Sequence, residues 1–117
     1  MGNYMSQVSA SFKIESSNFD KAFQAIKASS LDPCGGCNIQ EALNEFSWAT
    51  ETDEAGDIFS IFFEGEKYTD EDSLFETIAP FVEAGSYIEV EHEYGMQKWI
   101  FDGKTVKIKE GRVVYDD

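Results

Sequence analysis

Cys34 and Cys37 enclose two glycines just before Asn38, where a helix is expected to begin. A C-x-x-C pair at a helix N-terminus suits thiol–disulfide exchange, because the helix dipole favours the thiolate of the first cysteine. Here the motif follows a helical stretch and a proline-containing loop, and Asp32-Pro33 stand where such motifs often carry a tryptophan. As a zinc half-site the pair needs two more ligands, for which the chain offers His92 and carboxylates. Two chains each supplying Cys34 and Cys37 would close an all-thiolate site across a dimer axis. The favoured reading is a structural loop with free thiols; a metal or intersubunit role and redox chemistry are the alternatives. His92 alternates with Ile88 and Val90, the position of a core-edge histidine, and no Ser or Cys partner can be assigned to it. The stretch from Glu51 has Asp53 and Gly56 at calcium-loop spacing, but Ala55 and Phe62 fall where oxygen ligands belong. No phosphate-cradling glycine motif, H-E-x-x-H or G-x-S-x-G occurs. A protein without catalytic residues, metal or cofactor is therefore expected.

Charge is the stronger signal. Nine Lys and Arg against 23 Asp and Glu give a net −14, a field that repels nucleic-acid phosphates and anionic membranes. The stretch Glu51 to Glu93 holds fourteen acids and Lys67 as its one base, so −13 of the total belongs to it. Such crowding costs stability through self-repulsion. The functional reading is a surface that imitates nucleic-acid phosphates and fills a basic groove on a partner protein. Its residues are Glu51, Asp53, Glu54, Asp57, Glu64, Glu66, Asp70, Glu71, Asp72, Glu89, Glu91 and Glu93. In a strand, Glu89, Glu91 and Glu93 repeat every ~6–7 Å, close to the ~7 Å between phosphates along one strand of a duplex. The plainer alternative is a solvated face on which Lys98, Lys107 and Lys109 pair across strands with the glutamates. Helix-dipole capping by itself accounts for Asp70, Glu71 and Asp72. Tyr4, Tyr68 and Tyr94, near turns, are candidates for contact surface.

The elements that would position these groups are read from periodicity. Val8, Ala10, Phe12 and Ile14 alternate with polar residues over Ser6 to Glu15, predicting a strand with those four facing inward. Phe19, Ala22, Phe23 and Ile26 make one face of a helix beginning at Asn18, a plausible N-cap. Breakers over Ser29 to Cys37 predict a loop, and Asn38 with Glu41 a capped short helix striped by Ile39, Ala42, Leu43 and Phe46. Ser47 to Thr52 and Ile58 to Glu64 read as a hairpin whose second strand is central. Thr69 and Asp70 open a third helix lined by Leu74, Phe75, Ile78, Ala79 and Val82, kinked at Pro80 and ending at Gly85. Turn signals at Tyr94-Gly95, Asp102-Gly103 and Glu110-Gly111 divide the remainder into a β-meander. The expected fold is a single α+β domain over residues 1–117. It has helices on one face of a mainly antiparallel sheet, as a ferredoxin-like β-α-β-β-α-β unit plus the meander.

Met1-Gly2-Asn3-Tyr4-Met5-Ser6 lacks the basic and apolar parts of a secretory signal, so a cytoplasmic location is expected. The same residues fit an N-myristoylation pattern, but one acyl chain on an acidic protein anchors poorly.

The segments Phe46-Ser47-Trp48, Phe63 to Lys67, Leu74 to Glu89 and Trp99 to Gly103 resemble uncharacterised small acidic proteins of phages and mobile elements in low-GC bacteria. The likeness lies in layout and transfers no catalytic residue. It implies the company of anti-CRISPR and anti-restriction proteins, small acidic domains that block host nucleases. The partner expected is a protein with a basic nucleic-acid-binding groove, such as a CRISPR or restriction nuclease. The contrasting expectation is a ligand-binding or self-assembling ferredoxin-like module, in which the Cys34/Cys37 loop has a structural role.

Overall fold

The computed structural model describes residues 5–29, 31, 38–65, 70–92 and 95–111. The elements run β1 (Met5–Ser11), α1 (Phe19–Ala28), α2 (Ile39–Glu45), β2 (Trp48–Thr52), β3 (Ile58–Phe63), α3 (Glu71–Ile78), β4 (Tyr87–His92), β5 (Gly95–Phe101) and β6 (Val106–Gly111). The fold is α+β: a four-stranded antiparallel sheet in the order β1-β4-β5-β6, and a two-stranded sheet β2-β3. The Cys34/Cys37 loop, Glu66, Tyr68, Thr69, Glu93, Tyr94, Tyr4 and the strand expected after Gly111 lie outside the described residues. Glu110-Gly111 ends β6 and makes no turn within the described chain.

Alternation in β1 is broken by a β-bulge. Gln7 pairs with Val90 and Ser9 with Glu89, so Val8 is the extra residue. Before the bulge odd-numbered residues face inward, Met5 among them; after it even-numbered ones do, with Phe12 and Ile14 buried. Val8, expected inside, is 52% exposed because the bulge moves it off the inner face. A second irregularity, between Glu51 and Thr52 of β2, leaves Phe59 of β3 unpaired.

β3 is not a central strand. It has a full ladder only with β2, and Phe59 and Phe62 are 50% and 44% exposed. Toward the segment just past β1 it makes one reciprocal bridge, Ile14 N–H to Ile58 O at 3.1 Å and Ile58 N–H to Ile14 O at 2.9 Å. The Gln7 side chain supplies the rest: its Nε2 donates to Ile61 O at 3.0 Å and its Oε1 accepts from Phe63 N–H at 2.8 Å. One side-chain amide thus stands in for a stretch of strand between the two sheets.

The helices follow the predicted stripes. Ala22, Phe23 and Ile26 of α1 and Ile39, Ala42 and Leu43 of α2 are buried. Asn38 caps α2, its side chain accepting from Glu41 N–H at 2.9 Å, whereas Asn18 makes no side-chain cap to α1. α3 stops at Ile78 instead of continuing to Gly85; Ala79–Phe81 form a 3-10 turn and Val82 is extended. Pro80 has no N–H to continue the α-helical ladder, which is why the helix ends there and does not merely bend. Phe75 of α3 is the hub of the core, its ring 5.3 Å from Trp48, 4.9 Å from Trp99 and 5.9 Å from Phe101. Both sheets therefore share one core. Among the described residues no helix is long and apolar enough to cross a membrane.

Candidate functional site

The three consecutive acids at the start of α3 have three different fates. Asp70 is exposed at the N-cap position and makes no side-chain cap. Glu71 is fully buried, and Trp48 Nε1 donates to its Oε2 at 3.2 Å. Asp72 is half-buried, its Oδ1 accepting from Trp99 Nε1 at 2.9 Å and from Gln97 Nε2 at 3.0 Å. Glu71 precedes Leu74, Phe75 and Ile78 by three, four and seven residues, so helical pitch places it on their inner stripe. Glu71 and Asp72 thus tie α3 to β2 and β5 through two indoles. The surface position expected for Glu71 is not the one it takes.

The glutamate row on β4 is interrupted as well. Glu89 lies directly across from Lys98 of β5, and Lys98 across from Lys109 of β6. Ser9 Oγ donates to Glu89 Oε1 at 3.2 Å, while the Lys98 ammonium lies over the Tyr87 ring, 4.4 Å from its centroid. Glu91, exposed, is opposite Met96. The outward face of this sheet thus mixes Glu89 and Glu91 with Lys98, Lys107 and Lys109, but of the three lysines expected to pair with the glutamates only Lys98 lies opposite one; Lys107 is across from Ile100 and Lys109 from Lys98.

A stretch of chain without any basic residue lies elsewhere. From residue 28 to residue 66 the chain has no Lys, Arg or His. That stretch includes α2, β2 and β3, whose described acids are Glu41, Glu45, Glu51, Asp53, Glu54, Asp57 and Glu64. All but Asp57 are exposed. Asp53 and Asp57 build the hairpin: Asp53 Oδ1 accepts from Ala55 N–H at 2.9 Å and Asp57 N–H at 3.1 Å, and Asp57 Oδ1 accepts from Ser16 N–H at 2.8 Å. Gly56, with φ of 86°, takes the left-handed position that lets this loop close. The turn holds Glu54 at its exposed tip, with Glu51 in the adjoining strand.

On α2, Glu41 and Glu45 are one turn apart, about 6 Å between their Cβ atoms, and they rim a polar groove against β2. Gln40, Glu41, Asn44, Glu45, Ala49 and Thr50 line this groove of about 500 Å3. Gln40 Nε2 donates to Thr50 Oγ1 across it at 3.0 Å. The Glu51 to Glu93 window omits Glu41 and Glu45; the missing signal was the absence of basic residues from 28 to 66, not the density of acids.

Asp102 lies in the β5–β6 turn. Thr105 and Lys104 backbone N–H groups and the Thr105 hydroxyl donate to it, and the Lys107 charge adds to them, holding it below the usual carboxylate range. This is the chemistry of a turn. His92 is half-buried opposite Met5, as expected of a core-edge histidine. Among the described residues no three His, Cys, Asp or Glu side chains are grouped to hold a metal ion. Comparison with protein-family models, with curated proteins and with solved structures finds no match to this chain.

Proposed function

We propose that this chain is a cytoplasmic, non-enzymatic interaction protein whose acidic surface occupies the basic nucleic-acid-binding groove of another protein, a CRISPR or restriction nuclease of a host defence system. The observation that carries the reading is the exposed acidity of α2 and the β2–β3 hairpin in a stretch with no basic residue from 28 to 66. A groove that binds phosphates through Lys and Arg gains from carboxylates as it does from a nucleic-acid backbone, and the gain falls with salt. Glu41, Glu45, Glu51, Glu54 and Glu64 are exposed and would face such a partner, with Asp53 and Asp57 fixing the hairpin that presents two of them. The β2–β3 hairpin forms its own sheet and is linked to the β1 segment by the Gln7 side chain and by the Ile14–Ile58 bridge just past the end of β1, which supports reading the core as a distorted ferredoxin-like unit extended by β5 and β6.

The test is DNA cleavage by a purified Cas9–guide complex and by a restriction endonuclease, with the acidic protein added at low and high salt. Inhibition at low salt that excess DNA relieves is expected, and a variant carrying Glu41→Lys, Glu45→Lys, Glu51→Lys and Glu54→Lys should lose it. Cleavage unaffected in both systems, or inhibition retained by the quadruple variant, refutes the reading.

A further inference from the structure

The outward face of the four-stranded sheet has a property that the acidic face lacks: it is complementary to itself. The core residues of this sheet, Ile88, Val90, Trp99 and Phe101, point to the other side, where α3 packs. On the outward side Tyr87, Met96 and Ile100 are half-buried apolar positions, set among Glu89, Glu91 and the three lysines. Two carboxylates and three ammonium groups nearly cancel here, in a chain whose net charge is −14. Two copies meeting through this face therefore meet with little net repulsion.

We propose that this face is a homodimer interface, with a second copy of the chain packed sheet on sheet about a two-fold axis along the strands between β4 and β5. Such an axis preserves position along the strands and exchanges β4 with β5. Residues that are neighbours in register within one protomer then meet again across the interface. Glu89, across from Lys98 in its own sheet, faces the partner subunit's Lys98; Tyr87 faces the partner subunit's Ile100, and Glu91 the partner subunit's Met96. Each contact occurs twice. Placing the axis along β5 would instead set Lys98 against its own copy. The face is small, four strands at ~4.8 Å by six residues at ~3.4 Å, roughly 400 Å2 in plan. An interface of that size supports a weak, concentration-dependent dimer. The proposal is independent of the nuclease reading, since it uses the opposite charge pattern on a different surface.

Sedimentation velocity of the full chain, from about 10 µM to about 1 mM, tests it. The wild type is expected to shift from monomer to dimer over this range. Lys98→Glu and Glu89→Lys should each weaken association about tenfold or more, because each sets like charges face to face. The double variant Glu89→Lys with Lys98→Glu should restore it. Met96→Lys offers a second disruption that does not touch the charge pair, and circular dichroism verifies that each variant is folded. A wild type that stays monomeric throughout, or a dimer indifferent to the single reversals and to Met96→Lys, overturns the proposal.

Discussion

Replacing Asp72 with alanine removes the acceptor shared by two side chains of β5. Trp99 is fully buried and Gln97 is 7% exposed, so their N–H groups lose a partner at 2.9 Å and 3.0 Å with little water to replace it. An orphaned buried donor costs about 1–3 kcal/mol. Two of them, discounted because Asp72 is itself half-buried and leaves room for solvent, come to about 2–4 kcal/mol. That is a large share of the ~5–15 kcal/mol that holds a domain of this size together. Urea denaturation followed by tryptophan fluorescence should therefore show the midpoint falling by about 1–2 M, at a slope of ~2 kcal/mol per molar. Asp72→Asn keeps Oδ1 as a neutral acceptor and should cost about 1 kcal/mol. Asp70→Asn, at an exposed carboxylate two residues away, should stay within about 0.5 kcal/mol of wild type. If Asp72→Ala is no more destabilising than Asp70→Asn, the indole anchor is not a stabilising contact and the reading of α3 is wrong.

Gln7→Ala should destabilise the protein by about 1–3 kcal/mol, since it leaves Ile61 O and Phe63 N–H without their partner between the sheets. Hydrogen exchange should place the loss locally, with the Phe63 amide speeding up more than the amides of β5; uniform acceleration would contradict a local role. The depressed folded-state pKa of Asp102, set first by the Thr105 N–H, gives a definite sign of pH dependence. Its contribution is fully present above the unfolded-state value and is lost as pH falls through the lower folded-state one. Thermal melts of wild type and Asp102→Ala should differ at neutral pH and converge in acid; a gap that persists at about pH 2 would refute it.

What the sequence by itself determined is what neighbours along the chain decide. The apolar stripes of α1 and α2, the Asn38 cap, the hairpin loop from Asp53 to Asp57 and the β4–β5–β6 meander depend on residues within a turn or two of one another, and all are present. The net acidity was equally legible, and so was the basic-free stretch once the right count is made. Tertiary structure decided everything that depends on pairing between distant segments. Val8 leaves the core because β1 must fit the register of β4, eighty residues away in the pairing of Ser9 with Glu89. Glu71 enters the core because helical pitch puts it on the inner stripe of α3, where Trp48 of β2, twenty-three residues away, donates its indole N–H to it. A carboxylate has the same chemistry in each of these places, and only its neighbours, brought together by folding, determine whether it packs, pairs or meets solvent.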